Sequence, residues 1–510
     1  MPHRQLSKAL AILAVAGLSA CTTRAVDPAS NAARISQALK AKVSTIVVIY
    51  AENRAFDNLY GNFPGAEGLA AVVDREGRPL PAYVPQRDRD GTVLPTLPQT
   101  WGGVTAPGYV PVVTQAESAG LPNAPFAVEH AFTGQSGVTL TTSVVTRDLW
   151  HRFFEHQMQI DGGKNDGYVA WADSGGLTMG HYDYSGSALF ALARRYVLAD
   201  HFFQGAFGGS FLNHQYLICA CAPEYPNADT APAAPSIAIL VTDAAGHYLP
   251  RLKLAAGSPA SALDGPPKFA KSGNIAPAGY FGDGKFHAVN TMQPPYQPSG
   301  NPPASGDAAG LYADPAKHTT LPPQTAPTIG DRLNEGHVTW AWYAGAWNAA
   351  LADGREPAGM ERRVIYAPET PRGSPDFQPH HQPFNYYADF DPATRSAERA
   401  AHLKDYAQLI ADIAAGRLPS VAFYKPQGNF NQHPGYASIA EGDAHIADLV
   451  AKLEAGPQWK NMVIVITYDE FGGAWDHVAP PTGDSLGPGA RIPALIISPF
   501  ARKSTVDHTP

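Results

Sequence analysis

Short aliphatic and β-branched runs recur along the chain, and stretches with helical spacing separate several of them. Val43–Tyr50 (VSTIVVIY), Ser420–Tyr424, Met462–Thr467 (MVIVIT) and Ile492–Ser498 read as buried strands. Tyr196–Leu198 and Val338–Tyr343 (VTWAWY) read as shorter ones. Residues 144–160 and Ser187–Arg195 read as helices. Glu398–Ala415 places Leu403, Tyr406, Leu409, Ile410 and Ile413 at helical spacing, with Gly416 at its end. Asp443–Ala455 lines up Ile446, Leu449, Val450 and Leu453, and Gly456 stops it. Strands alternating with amphipathic helices predict an α/β fold, with a mainly parallel sheet covered on both faces. Two stretches carry no period. Residues 61–125 are rich in Pro, Gly and Val and predict loops and small strands. Pro, Gly and Ala dominate 222–327, which predicts an inserted cap region, because structureless loops of that length are unusual inside a compact domain.

Composition narrows the classes. Of 510 residues only 16% are charged, while 48 Gly and 47 Pro favour ordered turns over a helical bundle. A net charge of −8 leaves no basic field for nucleic acid. Arg4 and Lys8 precede the apolar stretch Ala9–Ala20, which ends at Cys21. That stretch is too short to cross about 30 Å of hydrocarbon. It reads as an export signal over 1–20. Leu18-Ser19-Ala20-Cys21 has the pattern of a bacterial lipoprotein, so Cys21 is expected to carry a lipid anchor to a membrane. Plain signal cleavage is the alternative. A polar tether would cover 21–36 and the folded body 37–510. The protein is then exported, facing the periplasm or cell surface, or secreted. Cys219 and Cys221 lie two residues apart in an expected helix or strand, so they are expected to be small core residues that do not bridge.

In parallel sheets, ligands bind beyond the carboxyl ends of strands. Val43–Tyr50 runs into Glu52-Asn53, and Met462–Thr467 runs into Asp469-Glu470. These four residues offer only oxygen ligands, which suits one hard divalent ion: Mg, Ca or Mn. The alternative is that they cap the turns after the strands. In Gly208-Gly209-Ser210-Phe211-Leu212-Asn213-His214, Ser210 stands where a turn feeds a helix. On the residues alone it is an N-cap or a metal-activated nucleophile. Position 212 is Leu, so Gly-x-Ser-x-Gly is not formed. His151, His156, His380, His381, His433 and His477 lie in or beside Gly/Pro-rich loops, where cationic imidazoles would neutralise a phosphate or protonate a leaving oxygen.

Together Glu52-Asn53-Arg54-x-Phe56-Asp57-x-x-x-Gly61, Gly162-Gly163-Lys164 and Thr467-Tyr468-Asp469-Glu470-x-Gly472-Gly473-x-x-Asp476-His477-Val478-x-Pro480-Pro481 resemble the bacterial phosphoesterase family. That family holds the non-haemolytic phospholipases C and a branch of acid phosphatases, and is related to the alkaline phosphatase superfamily. The resemblance implies an α/β/α sandwich. It implies one divalent metal held by Glu52, Asn53, Asp469 and Glu470, with Ser210 as nucleophile and metal ligand. It implies that His433, His381, His380 and His151 line the catalytic pocket. Ser210-x-x-Asn213-His214 is similar to the respiratory-burst-inhibiting acid phosphatases, where the phospholipase branch usually has Thr. The expected activity is therefore hydrolysis of phosphomonoesters through a phosphoserine. The alternatives are a phospholipase C acting on phosphatidylcholine-type diesters and, in another class, a non-catalytic surface lipoprotein that binds a phosphorylated ligand. The family usually continues past the motif like Val506–Pro510 with a Ser/Thr-bearing helix, so a shortened C-terminus is also expected.

Overall fold

The computed structural model describes residues 28–367 and 374–510; the expected signal and Cys21 lie outside them. Helix α1 (Pro28–Lys42) belongs to a unit of its own, ending at Ser44. The second unit runs from Thr45 to Pro510. Its main elements, in chain order, are β1 (Thr45–Ala51), α2 (Phe153–Ile160), α3 (Ala188–Arg195), β2 (Val197–Ala199) and α4 (Ser210–Cys219). Then come β3 (Trp340–Ala344), α5 (Trp347–Asp353), α6 (Ser396–His402), β4 (Leu403–Asp405) and α7 (Tyr406–Ala415). The last are β5 (Val421–Lys425), α8 (Ile439–Ala455), β6 (Met462–Tyr468), β7 (Ala494–Ile497) and β8 (Thr505–Asp507).

The eight strands form one sheet in the order β4-β3-β5-β1-β6-β7-β2-β8. β7 alone runs antiparallel to its neighbours. Alternation along the strands builds two apolar layers. Val47 and Ile49 of β1, Ala422 and Tyr424 of β5, and Ile464 and Ile466 of β6 face one layer, with Leu189 and Phe190 of α3, Leu409 of α7 and Ile446 and Leu449 of α8. Trp340, Trp342 and Phe423 face the other, with Phe153 and Phe154 of α2 and Phe211 and Leu212 of α4. The fold is therefore α/β, with a mixed, mostly parallel sheet flanked by helices. Ser187 and Ser438 cap α3 and α8 by accepting backbone N–H bonds from Phe190 and Glu441.

Three expectations change. Residues 398–415 are not one helix: Asp405 caps α7, and Leu403–Asp405 pairs with Trp342–Ala344 as an edge strand. Residues 144–152 are not helical; Val145 and Thr146 run alongside 104–106, as β-branched residues favour. Cys219 and Cys221 are disulfide-bonded, because Ala220 ends α4 in a left-handed turn that brings their Cα atoms to 5.1 Å. Residues 222–327 hold two small antiparallel ribbons, Leu240–Thr242 with Tyr248–Leu252 and Ile275–Ala276 with His287–Ala288. Ile275, Val289, Met292 and Leu321 of this stretch are buried in the second apolar layer.

Candidate active site

Three adjacent parallel strands deliver the central charges. β1 pairs Ala51 with Tyr468 of β6, so Glu52-Asn53 and Asp469-Glu470 leave the sheet side by side. On the other flank, β5 pairs Tyr424 with Ile49 and ends in Lys425. The Asn53 N–H donates to Asp469 Oδ1 at 3.0 Å. Lys425 Nζ donates to Glu52 Oε1. All five side chains are buried. Asp469 Oδ2 and Glu470 Oε1 have no hydrogen-bond partner. Burial and then the charge of Glu52 push the Asp469 carboxyl well above the usual carboxylate range; burial and then Asp469 do the same to Glu470.

Ser210 is the first residue of α4, and Gly209 takes the capping position. The Ser210 hydroxyl is therefore free to point at the carboxylates. It lies 3.0 Å from Glu52 Oε2 and 3.2 Å from Asn53 Oδ1. Gly208 makes this possible, because its φ of 84° is left-handed and a Cβ there would sit 2.6 Å from the Phe153 backbone. The Gly208 N–H donates to His156 Nδ1 at 3.0 Å, so His156 supports the turn from behind. On the facing loop, Gly472 has φ 64° and packs so tightly on Asn53 that a Cβ would lie 2.2 Å from its carbonyl oxygen.

The expected histidines surround this core. His381 Nε2 lies 3.2 Å from Glu52 Oε1 without a hydrogen bond to it. His380 packs on His381 at 4.2 Å between ring centres, and its Nδ1 meets the Tyr366 hydroxyl at 2.9 Å. His151 Nε2 stands 3.4 Å from Asn53 Nδ2 and 3.8 Å from Glu470 Oε1. His433 meets His151 edge to face at 5.5 Å. His214, one helical turn after Ser210, accompanies them: its Nδ1 bonds the Ser210 carbonyl at 2.7 Å and its ring stacks on His381 at 4.9 Å. Burial and then the Lys425 charge hold His380 down at about 3. Burial also lowers His214, His381 and His433, seconded by Lys425, His380 and His151 respectively. Burial thus favours the neutral forms of His214, His380, His381 and His433, and a phosphate anion beside them would draw their values back up.

Residues 43–510 match the Phosphoesterase family. The chain belongs to it. Among curated relatives, the non-specific phospholipase C1 of Arabidopsis thaliana is 32% identical over 158 residues, covering 25% of this chain and 29% of that protein. Phospholipase C B of Mycobacterium tuberculosis is 32% identical over 129 residues, covering 19% of this chain and 25% of that protein. The chain thus matches less than a third of these relatives' own length. The solved structure of Ps i-CgsB in complex with k-i-k-neocarrahexaose aligns over 63% of this chain and 62% of that one, at 11% identity and a TM-score of 0.26.

Glu52, His214 and Asp469 present ligand atoms within 4.8 Å of one another. The unpartnered oxygens of Asp469 and Glu470 and the unpartnered Nε2 of His214 are what a cation would satisfy. The residues therefore fit the divalent ion that the family implies. His214 adds a nitrogen to the expected oxygen set, so its chemistry is less strictly that of Mg or Ca. His214 and Lys425 were not expected in the site. His214 had a signal, the i+4 position after Ser210; Lys425 had only its place at a strand end. His477 lies elsewhere, its Nδ1 bonded to Asp57 at 2.6 Å in a buried network with Arg491 and Asp476.

Proposed function

We propose that this phosphoesterase is a phospholipase C-type enzyme, hydrolysing phosphodiesters of phospholipid head groups through a phosphoserine at Ser210. The supporting observation is the Ser210 hydroxyl, aimed at a buried acidic cluster from the N-terminus of a helix. The names of the relatives favour the diester over the monoester. The Ser210-x-x-Asn213-His214 pattern favours the second reading, an acid phosphatase. Both use the same first step.

A divalent ion at Glu52, Asn53, Asp469, Glu470 and Ser210, with His214 beside it, would lower the pKa of the hydroxyl and neutralise phosphate charge. Glu52 Oε2 is placed to take the Ser210 proton. Ser210 Oγ bonds to phosphorus, and the bond from phosphorus to the leaving oxygen breaks. His433 or His381, charged once phosphate is bound, protonates that oxygen, which departs as the diacylglycerol hydroxyl or a simple alcohol. Water then attacks phosphorus and gives a proton to the same histidine, the bond from phosphorus to Ser210 Oγ breaks, and Glu52 returns its proton to Oγ. His151 and His380 hold the equatorial oxygens. In this reading residues 222–327 select the substrate as the cap, the architecture is alkaline-phosphatase-like, and Cys21 tethers the body to a membrane.

Ser210→Ala should lower turnover by at least about 1,000-fold while the thermal midpoint moves by only a few degrees. A folded Ser210→Ala protein that still releases product at the parent rate would end the assignment. Parallel assays on phosphatidylcholine vesicles and a chromogenic phosphomonoester, across pH and metals, separate the two readings: dominant monoester hydrolysis would favour the acid phosphatase. No product from either would leave a binding protein.

A further inference from the structure

The parallel strands β2 and β8 pair Ala199 with Asp507, so the next residues, Asp200 and His508, meet at the same end of the sheet. His508 Nδ1 lies 3.0 and 2.8 Å from the two Asp200 carboxylate oxygens. His201 Nδ1 lies 2.9 Å from Asp200 Oδ1. Asp200 is fully buried and also accepts the Glu67 N–H at 2.8 Å. His201 Nε2, on the other side of its ring, stands 3.1 Å from Glu67 Oε2. None of these residues takes part in the Ser210 site.

The proton count sets the problem. A neutral imidazole has one N–H. His201 faces a carboxylate with each of its nitrogens, so one proton leaves the other nitrogen's lone pair against an anion. A metal ion at Nδ1 would meet that lone pair. The spacing suits a metal: ligand atoms of the three residues lie within 4.8 Å of one another. Tetrahedral zinc, with bonds of about 2.0–2.1 Å, spaces its ligands roughly 3.3–3.4 Å apart, a few tenths beyond the present contacts. Glu67 would then accept the Nε2 proton of His201, the arrangement by which carboxylates fix the tautomer of metal-bound imidazoles. The nearby Arg491 guanidinium does not oppose this, since Asp57 and Asp476 balance it at 3.0 and 3.1 Å.

We infer that Asp200, His201 and His508 form a second metal site, selective for zinc or a similar imidazole-binding transition metal, that clips β8 to β2. Chelator-treated protein would be titrated with zinc, and bound metal counted by elemental mass spectrometry. The parent should hold one more zinc per chain than His508→Ala or His201→Ala. Asp469→Asn should keep that ion, which makes the result independent of the Ser210 assignment. Cobalt should give visible absorption bands in the parent that His508→Ala loses. Zinc should raise the thermal midpoint of the parent more than that of His508→Ala. Glu67→Gln keeps all three ligands and should weaken zinc binding about 10–100-fold; it carries the test if a histidine variant fails to fold. Equal zinc content in parent and His508→Ala, with no difference in cobalt absorption, would overturn the proposal and leave a hydrogen-bonded network without metal.

Discussion

The ammonium of Lys425 is buried against Glu52, with Asp469 and Glu470 beyond it. One cation cannot balance three carboxylates, and the proposed divalent ion would supply the remainder. Lys425→Met would remove the charge and keep most of the volume. Breaking a buried pair costs about 3–5 kcal/mol. The loss should be that large in chelator and smaller with a divalent ion bound. Urea unfolding under both conditions tests it, and an unchanged midpoint in chelator would refute it. The carboxylates were readable in the sequence because apolar strands that end in acids are rare without a purpose. Lys425 was not, because a lysine after a strand looks like any solvent-facing end until the neighbouring strand supplies Glu52.

At the scale of elements, the turn into α4 positions Ser210, the proposed nucleophile. Gly208→Ala would force a left-handed φ and push a methyl group into Phe153. It should cost about 1–3 kcal/mol and lower turnover more than substrate affinity, because Ser210 Oγ moves away from Glu52. Retained kcat in a destabilised variant would show that the turn matters only for folding. The junction of β5 and α8 carries a pH effect. His445 bonds the Tyr424 hydroxyl through Nε2 and stacks on Phe430, and burial holds its pKa at about 4. Its folded value lies below the unfolded one of about 6.5. Its contribution is therefore complete above about 6.5 and falls as pH drops towards about 4, where the unfolded chain takes up the proton first. His445→Gln should lose less stability than the parent between pH 7 and 5; equal losses would exclude this role. The principal strands of the sheet were legible from β-branched runs, and α8 from its apolar stripe and Gly456. The break at 403–405 was not legible, because Leu403 fits both the helical stripe and a strand paired with Trp342. The Cys219–Cys221 bond escaped because its precondition is a left-handed alanine at 220.

Across the whole molecule, residues 222–327 decide whether substrate choice can be altered separately from stability. Low regularity suggested an inserted cap region, and its Ile275, Val289, Met292 and Leu321 are buried in the second apolar layer. The body also reaches into this stretch with arginines. Arg152 donates to the carbonyls of Ser272 and Gly273. Arg89 donates to the carbonyls of Pro259, Ser261 and Gly265, and through Nε to Ala170. A segment with few backbone ladders depends on such donors, because its buried carbonyls have no strand partner to satisfy them. Arg89→Ala should therefore raise amide exchange across 259–272 while β6 stays protected. The loss is local, so the thermal midpoint should fall by only a few degrees. If 259–272 screens substrates, the ratio of lipid to monoester hydrolysis should shift while turnover of a small chromogenic ester stays near the parent value. Exchange that rises equally in β6 would mean that the stretch and the sheet unfold as one unit, and that no part of it can act as a separately adjustable cap.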